Sequence, residues 1–184
     1  MCIGDSLTRG YFSDYASGEH NRDFGYPFAL ARMTGMKVWN FGASGSDPSE
    51  WLQMANTTLI NIDFSQFDVA LVAFGQNNDK PNDEGTYTAA EYTEIYLDVL
   101  QKLKNANPNM VIFCLSNPGP RDVSSLIQDI VTAATDSNGD YNYSFVYYLD
   151  ITTDAPYVNY RTDGTHFNPV GYLLLAQTIK NRMT

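Results

Sequence analysis

Basic residues, histidine and cysteine are all scarce in this sequence. Eleven Lys and Arg face 21 Asp and Glu, a formal net charge of −10. That balance disfavours a nucleic-acid partner, because neutralising phosphates takes clustered cations. It also disfavours docking on an anionic membrane. The two cysteines, Cys2 and Cys114, form no CxxC pair and no zinc spacing. Each lies in an apolar segment, so both are expected as buried free thiols. Long apolar runs are missing too. The longest, 69–74 and 110–115, are strand-sized, whereas a membrane-spanning helix needs about 20 residues; no integral membrane segment is expected. No signal peptide is visible, since the chain opens directly on Met-Cys-Ile-Gly; one could have been removed with upstream sequence. Only five residues are Lys while Asn, Asp and Tyr abound, a composition that leans toward a secreted or surface-attached protein. The histidines are His20 and His166, too few to build the usual zinc site of about three protein ligands. Asp14, Asp79 and Asp83 read as scattered, solvated loop charges. Neither a metal nor a cofactor is expected.

What remains is a chain of 184 residues, 43% hydrophobic and 14% aromatic. That is enough to bury about 70% of the unfolded surface, and it suits a single domain over residues 1–184. Strand-like runs alternate with helix-like segments. Met1–Ile3 reads as the tail of a first strand, Lys37–Asn40 as a second, Val69–Phe74 as a third covered on both faces, Met110–Ser116 as a fourth and Phe145–Ile151 as a fifth. Between them lie helices at Tyr26–Thr34, after Asp47, after Thr88, at Val123–Ala134 and from Asn168-Pro169 to about Arg182. Asp47-Pro48-Ser49-Glu50 and Thr88-Ala89-Ala90-Glu91 are capping-box patterns. Tyr92, Ile95, Tyr96, Val99 and Leu103 recur at helical spacing. In the last helix Leu173, Ala176 and Ile179 are expected to turn inward. The alternation predicts a five-stranded parallel sheet with helices on both faces. Only three residues precede Gly4, against about 5–6 in a typical strand. The first strand is therefore expected to be truncated, or the chain to be cut from a longer protein.

In open parallel sheets ligands bind outside the carboxyl ends of the strands. The segments expected there are Gly4-Asp5-Ser6-Leu7, Phe41–Gly45, Gly75–Asp79, Asn117–Pro120 and the stretch 152–167. Metal-free ester or amide hydrolysis needs a nucleophile, a base, an orienting group and donors for the oxyanion. Ser6 follows the first strand directly, where a sharp turn would expose its hydroxyl. Ser44 is the rival, in a Gly-rich loop better suited to donating backbone N–H groups. The Gly-x-Ser-x-Gly elbow is absent. His166 falls on the same edge, and Asp163, three residues before it, can reach one ring nitrogen and fix the tautomer. His20 lies in a polar, surface-like run. Gly42 permits close approach of backbone to a substrate, and Asn77 can aim a side-chain amide into the cleft.

The order of these pieces carries the reading. Gly4-Asp5-Ser6-Leu7, a Gly loop at Gly42, Gly75-x-Asn77 and Asp163-x-x-His166 before the last helix together resemble the SGNH (GDSL-type) hydrolase family, from residue 4 to about residue 176. The resemblance implies a flavodoxin-like, three-layer α/β/α sandwich and esterase or lipase activity without metal. It makes Ser6 the nucleophile, His166 the general base and Asp163 its orienting partner. It draws the oxyanion hole from the Ser6 N–H, the Gly42 N–H and the Asn77 side chain. One departure stands out: the family usually has Asp directly after that Asn, whereas here Asn78 intervenes and Asp79 comes one later. A general base must be neutral to work, so activity is expected to rise through neutral pH.

Substrate choice is written more thinly. Tyr157, Tyr160 and Phe167 flank the Asp163/His166 pair, and Tyr160, Arg161 and Phe167 are the expected substrate contacts. Arg9, Arg121 and Arg161 can meet an anionic or hydroxyl-rich ligand at the same edge. No long apolar insertion resembles a lipase lid. A short acyl group, acetyl, on a small-molecule or glycan ester is the expectation. A lipid-directed esterase or lysophospholipase, an acyltransferase and a non-catalytic glycan-binding module are the alternatives.

Overall fold

The computed structural model describes residues 1–11, 24–78, 85–153 and 155–183. His20, Asp14, Asp79 and Asp83 lie outside the described residues. Five strands form the sheet: β1 (Cys2–Gly4), β2 (Asn40–Gly42), β3 (Val69–Ala73), β4 (Val111–Leu115) and β5 (Val146–Leu149). All pairings are parallel, in the order β2-β1-β3-β4-β5. The helices are α1 (Ser6–Arg9), α2 (Tyr26–Thr34), α3 (Pro48–Asn56), α4 (Ala89–Ala106), α5 (Ser124–Thr135) and α6 (Pro169–Arg182), with 3-10 turns at Phe64–Gln66 and Pro156–Tyr160.

Period-two alternation along the strands builds two cores. Ile3, Ala70, Val72, Ile112 and Cys114 face one side and pack with Trp51 of α3, Tyr96 and Leu100 of α4, and Ile127 of α5. Cys2, Leu71, Ala73, Leu115 and Leu149 face the other, against Leu30 of α2 and Leu175 and Ile179 of α6. The sheet is thus apolar on both faces and covered by helices on both, a three-layer α/β/α sandwich of flavodoxin-like order. Cys2 and Cys114 fall in different cores and are free thiols. Burial pushes each up to about 12, so both stay protonated at neutral pH.

The start signals form as read. Asp47 and Glu50 make a reciprocal capping box, as do Thr88 and Glu91, and the Asn168 side chain accepts from the Gly171 N–H at 2.9 Å. Several other limits shift by a residue or two, and two details differ by more. The second strand is Asn40–Gly42, not Lys37–Asn40, because its register pairs Asn40, Phe41 and Gly42 with Cys2, Ile3 and Gly4. In α6, Leu173 is 50% exposed. The inward face is Tyr172, Leu175, Ala176 and Ile179, an i, i+3, i+4, i+7 stripe fixed by the Tyr172 hydroxyl, which donates to the Tyr11 carbonyl at 2.7 Å.

The strand order sets the site. The chain passes from β1 outward to β2, then crosses back to β3 on the other side of β1. The carboxyl ends of β1 and β3 therefore flank the switch point, where such sheets open a crevice.

Candidate active site

β1 ends at Gly4, and the chain turns at once into the single helical turn α1. Asp5 caps it, its Oδ1 accepting the Leu7 N–H at 2.8 Å. Gly10 closes it in a left-handed conformation, donating its N–H to the Ser6 carbonyl at 3.0 Å. Buried Thr8 is tied to the Tyr26 hydroxyl at 3.0 Å. Ser6 is the first residue of this pinned turn. Its backbone N–H, like the others at a helix start, has no partner within the helix. Asp5 is 1% exposed. Burial pushes its carboxyl up to about 7, against the opposing pull of N–H groups including those of Leu7 and Thr8.

The partner of Ser6 comes from the other end of the chain. After the 3-10 turn, Arg161 and Phe167 pair as an isolated antiparallel bridge, and the Thr162 N–H donates to the His166 carbonyl at 2.8 Å. Between them Asp163-Gly164-Thr165-His166 makes a tight turn, with Gly164 at φ 85°, where a Cβ would be strained. Asp163 Oδ1 accepts the Thr165 and His166 N–H groups at 3.0 and 2.7 Å. Its Oδ2 meets His166 Nδ1 at 2.8 Å, and His166 Nε2 lies 2.8 Å from Ser6 Oγ. Partial burial pushes the Asp163 carboxyl up, but the backbone and ring hydrogen bonds outweigh it and hold the group below its ordinary range. An ionised carboxylate only accepts, so Nδ1 carries the proton. Nε2 of the neutral ring is then an acceptor, and the Ser6 hydroxyl donates to it. Three side chains from opposite ends of the sequence thus form one polarised line, Asp163 to His166 to Ser6.

Around this line the structure sorts the remaining expectations. Asn77 follows β3 at the switch point, and its Nδ2 donates to the Ser46 carbonyl at 3.3 Å. The Ser46 hydroxyl reaches the Gly4 and Ala43 carbonyls at 3.3 and 2.8 Å. The amide is thereby fastened to the loop that backs Gly4 and the Ser6 turn. Gly42 requires a correction. Its N–H is donated to Asn40 Oδ1 at 2.9 Å, and a Cβ there would lie 2.4 Å from the Arg9 nitrogen. Gly42 is the place where β2 packs against α1 backbone, not an open donor. The turn beyond it contains Gly45, at φ 78° with nothing within 4 Å of its Cβ position. The Gly45 N–H has no hydrogen-bond partner among the described residues.

Phe167 also requires a correction, since it is fully buried. Tyr157 and Tyr172 meet it edge-on at 5.3 and 5.5 Å, so it holds the Asp163 turn to the core rather than touching a ligand. Tyr157 is buried as well, its hydroxyl donating to the Ile151 carbonyl at 2.6 Å. Tyr160 is 37% exposed and remains open to a ligand. Arg161 is half-buried over the Phe167 ring and donates Nη2 to the Pro118 carbonyl at 2.9 Å. Asn78, where the family usually has Asp, accepts from Arg121 Nη1. Sequence reasoning missed Tyr11, whose ring lies 4.3 Å from that of His166, tilted by 51°. Its one signal was its nearness to the Ser6 turn. Among the described residues no three His, Cys, Asp or Glu side chains converge on a possible metal position. No described helix is long and apolar enough to cross a membrane.

A parallel α/β/α sandwich with a serine, histidine and aspartate converging at its switch point is the architecture of an acyl hydrolase. The chain belongs to the GDSL-like lipase/acylhydrolase family, which it matches over residues 2–174. It is similar in structure to a family two carbohydrate esterase from Clostridium thermocellum in complex with cellohexaose, at TM-score 0.75 and 18% identity. That match covers 99% of this chain and 63% of the other, so the chain spans under two thirds of that protein. An acetyl xylan esterase matches at TM-score 0.68 and 17% identity over 100% of both chains. An acetyl-xylooligosaccharide esterase from Geobacillus stearmophilus matches at TM-score 0.66 and 16% identity, over 99% of this chain and 92% of that one. No curated protein matches the sequence.

Proposed function

We propose that the protein is a serine esterase that removes short acyl groups, acetyl above all, from carbohydrate. The observation that carries this reading is the hydrogen-bonded line itself, with His166 Nε2 2.8 Å from Ser6 Oγ and Nδ1 2.8 Å from Asp163 Oδ2. In the proposed reaction Ser6 Oγ attacks the ester carbonyl while His166 Nε2 takes its proton. Asp163 stabilises the imidazolium that forms. The Ser6 N–H, the Asn77 amide and the Gly45 N–H supply the donors for the oxyanion. His166 returns the proton to the departing alcohol, leaving acyl-Ser6. Water then attacks the acyl-enzyme with His166 again as base, and carboxylate is released. The acetyl-carbohydrate preference is supported by the carbohydrate esterases of the same fold and by Tyr160 and Arg161 beside the Asp163 turn.

Ser6→Ala removes the attacking oxygen and little else, so hydrolysis of p-nitrophenyl acetate by this variant should vanish while its circular dichroism and melting temperature match the parent. Full turnover by Ser6→Ala ends the assignment. The acyl preference is tested by comparing acetate with longer chains, and a strong preference for octanoate would overturn the carbohydrate reading in favour of a lipid ester.

A further inference from the structure

On the same edge of the sheet as the Ser6–His166 line lies a cavity of about 340 Å³. It is walled by the loop after β4 and by the segment leading to Asp163, with Asn117, Arg121, Asp122 and Arg161 among its lining residues. The loop is rigidly built. Asn117, 3% exposed, donates Nδ2 to the Arg121 carbonyl at 2.8 Å and accepts the Gly119 N–H at 3.0 Å. Gln76 Oε1 accepts from the Asn117 amide at 3.4 Å.

Both guanidinium groups are held by neutral acceptors. Arg121 donates to the neutral Asn78 amide, and Arg161 donates to the Pro118 carbonyl. The Arg161 Nε is buried and makes no hydrogen bond. Neither arginine has a carboxylate within 4.0 Å among the described residues. Asp122, the carboxylate in the wall, is turned to the Ser124 N–H at 3.1 Å. Asp122 is the one carboxylate among the lining residues, so the two arginines leave a local excess of cation at this rim in a chain of net charge −10. The planar donor fork of arginine is matched to carboxylate geometry.

The sheet sets the distance. β4 stands two strands from β1, and strands are about 4.8 Å apart, so the pocket lies on the order of 10 Å from the Ser6 turn. That reaches a sugar unit next to the one bearing the ester. We infer that this pocket is a carboxylate subsite, and that the glycan deacylated at Ser6 carries a uronic acid adjoining its acylated residue. The inference rests on the esterase reading above and narrows its substrate class to acidic acetylated glycans.

The test compares kcat/KM on an acetylated galacturonate oligosaccharide and on an acetylated xylo-oligosaccharide of equal length, at low and high salt. The wild-type enzyme should prefer the acidic substrate by about tenfold or more, through KM, and high salt should shrink the preference. Arg121→Gln should lower the acidic-to-neutral ratio about tenfold, a shift in ratio that a merely structural defect does not produce. Equal turnover of both substrates by the wild type, or an unchanged ratio in Arg121→Gln, overturns the subsite and leaves the esterase reading standing. Should Arg121→Gln fold poorly, the wild-type salt response decides, and an acidic preference insensitive to salt overturns the inference. Turnover of neither glycan, with p-nitrophenyl acetate untouched as well, removes both readings together.

Discussion

Replacing Asp5 by asparagine deletes an ionisation from the turn that carries Ser6 while keeping an oxygen to accept the Leu7 N–H. Burial raises the Asp5 carboxyl from its ordinary value of 3.8 to about 7. The unfolded chain therefore releases this proton near pH 4, whereas the folded chain holds it until about pH 7. The stability contributed by the group is complete below pH ~4, declines as pH rises from about 4 to 7, and stays at its minimum above that. A rise of roughly 3 units at 1.36 kcal/mol each makes the swing about 4 kcal/mol. Asparagine cannot titrate, and any cost of housing its NH2 group is the same at every pH. Urea unfolding of wild type and Asp5→Asn between pH 4 and 8 should therefore show the difference in unfolding free energy moving by about 4 kcal/mol toward the variant as pH rises. All other titrations cancel in that difference. Parallel stability profiles would mean that the buried carboxyl ionises as easily in the fold as in water, and the account of the Ser6 turn would fail.

Two further expectations concern the loops around that turn. Asn77→Ala should lower kcat on acetyl esters by about 100-fold or more with little change in KM, the signature of a donor used in the transition state; steady-state kinetics on p-nitrophenyl acetate measures this, and a fall in melting temperature with kcat unchanged would mark a purely structural role. Gly42→Ala puts a carbon 2.4 Å from the Arg9 nitrogen and 2.8 Å from the Thr8 carbonyl carbon, so α1 must move. Stability should fall by about 1–3 kcal/mol and activity with it, since α1 positions Ser6; a fully stable, fully active variant would refute the tight β2–α1 packing.

Much of the fold could be read without coordinates because it is written in local patterns. The continuous apolar run at Val69–Phe74 gave a strand covered on both faces, and the Asp47 and Thr88 boxes gave helix starts to the residue. Such signals act over three or four positions, through a cap or a side-chain period. The errors came where the deciding partner was distant. The second strand was placed too early because its limits follow its pairing with Cys2–Gly4. Leu173 was turned inward because helical spacing alone does not say which stripe faces the sheet. Phe167 looked like a ligand contact because an aromatic beside a polar turn gives no sign of the Tyr157 and Tyr172 rings that enclose it. Tyr11 gave no sign of the His166 ring beside it.

The sequence by itself determined the alternation of strand and helix, the covered sheet, and the turns that carry Ser6, Asp163 and His166, because hydrophobic period, caps and turn formers act between near neighbours. Only the tertiary structure decided that Ser6 Oγ and His166 Nε2 meet at 2.8 Å, that Gly42 gives its N–H to Asn40, and that Arg121 and Arg161 share one cavity wall. Those outcomes depend on how β1, β2, β3 and the last turn pack across the sheet. The positions of groups far apart in the chain are set by the sum of many contacts, not by the residues on either side of them.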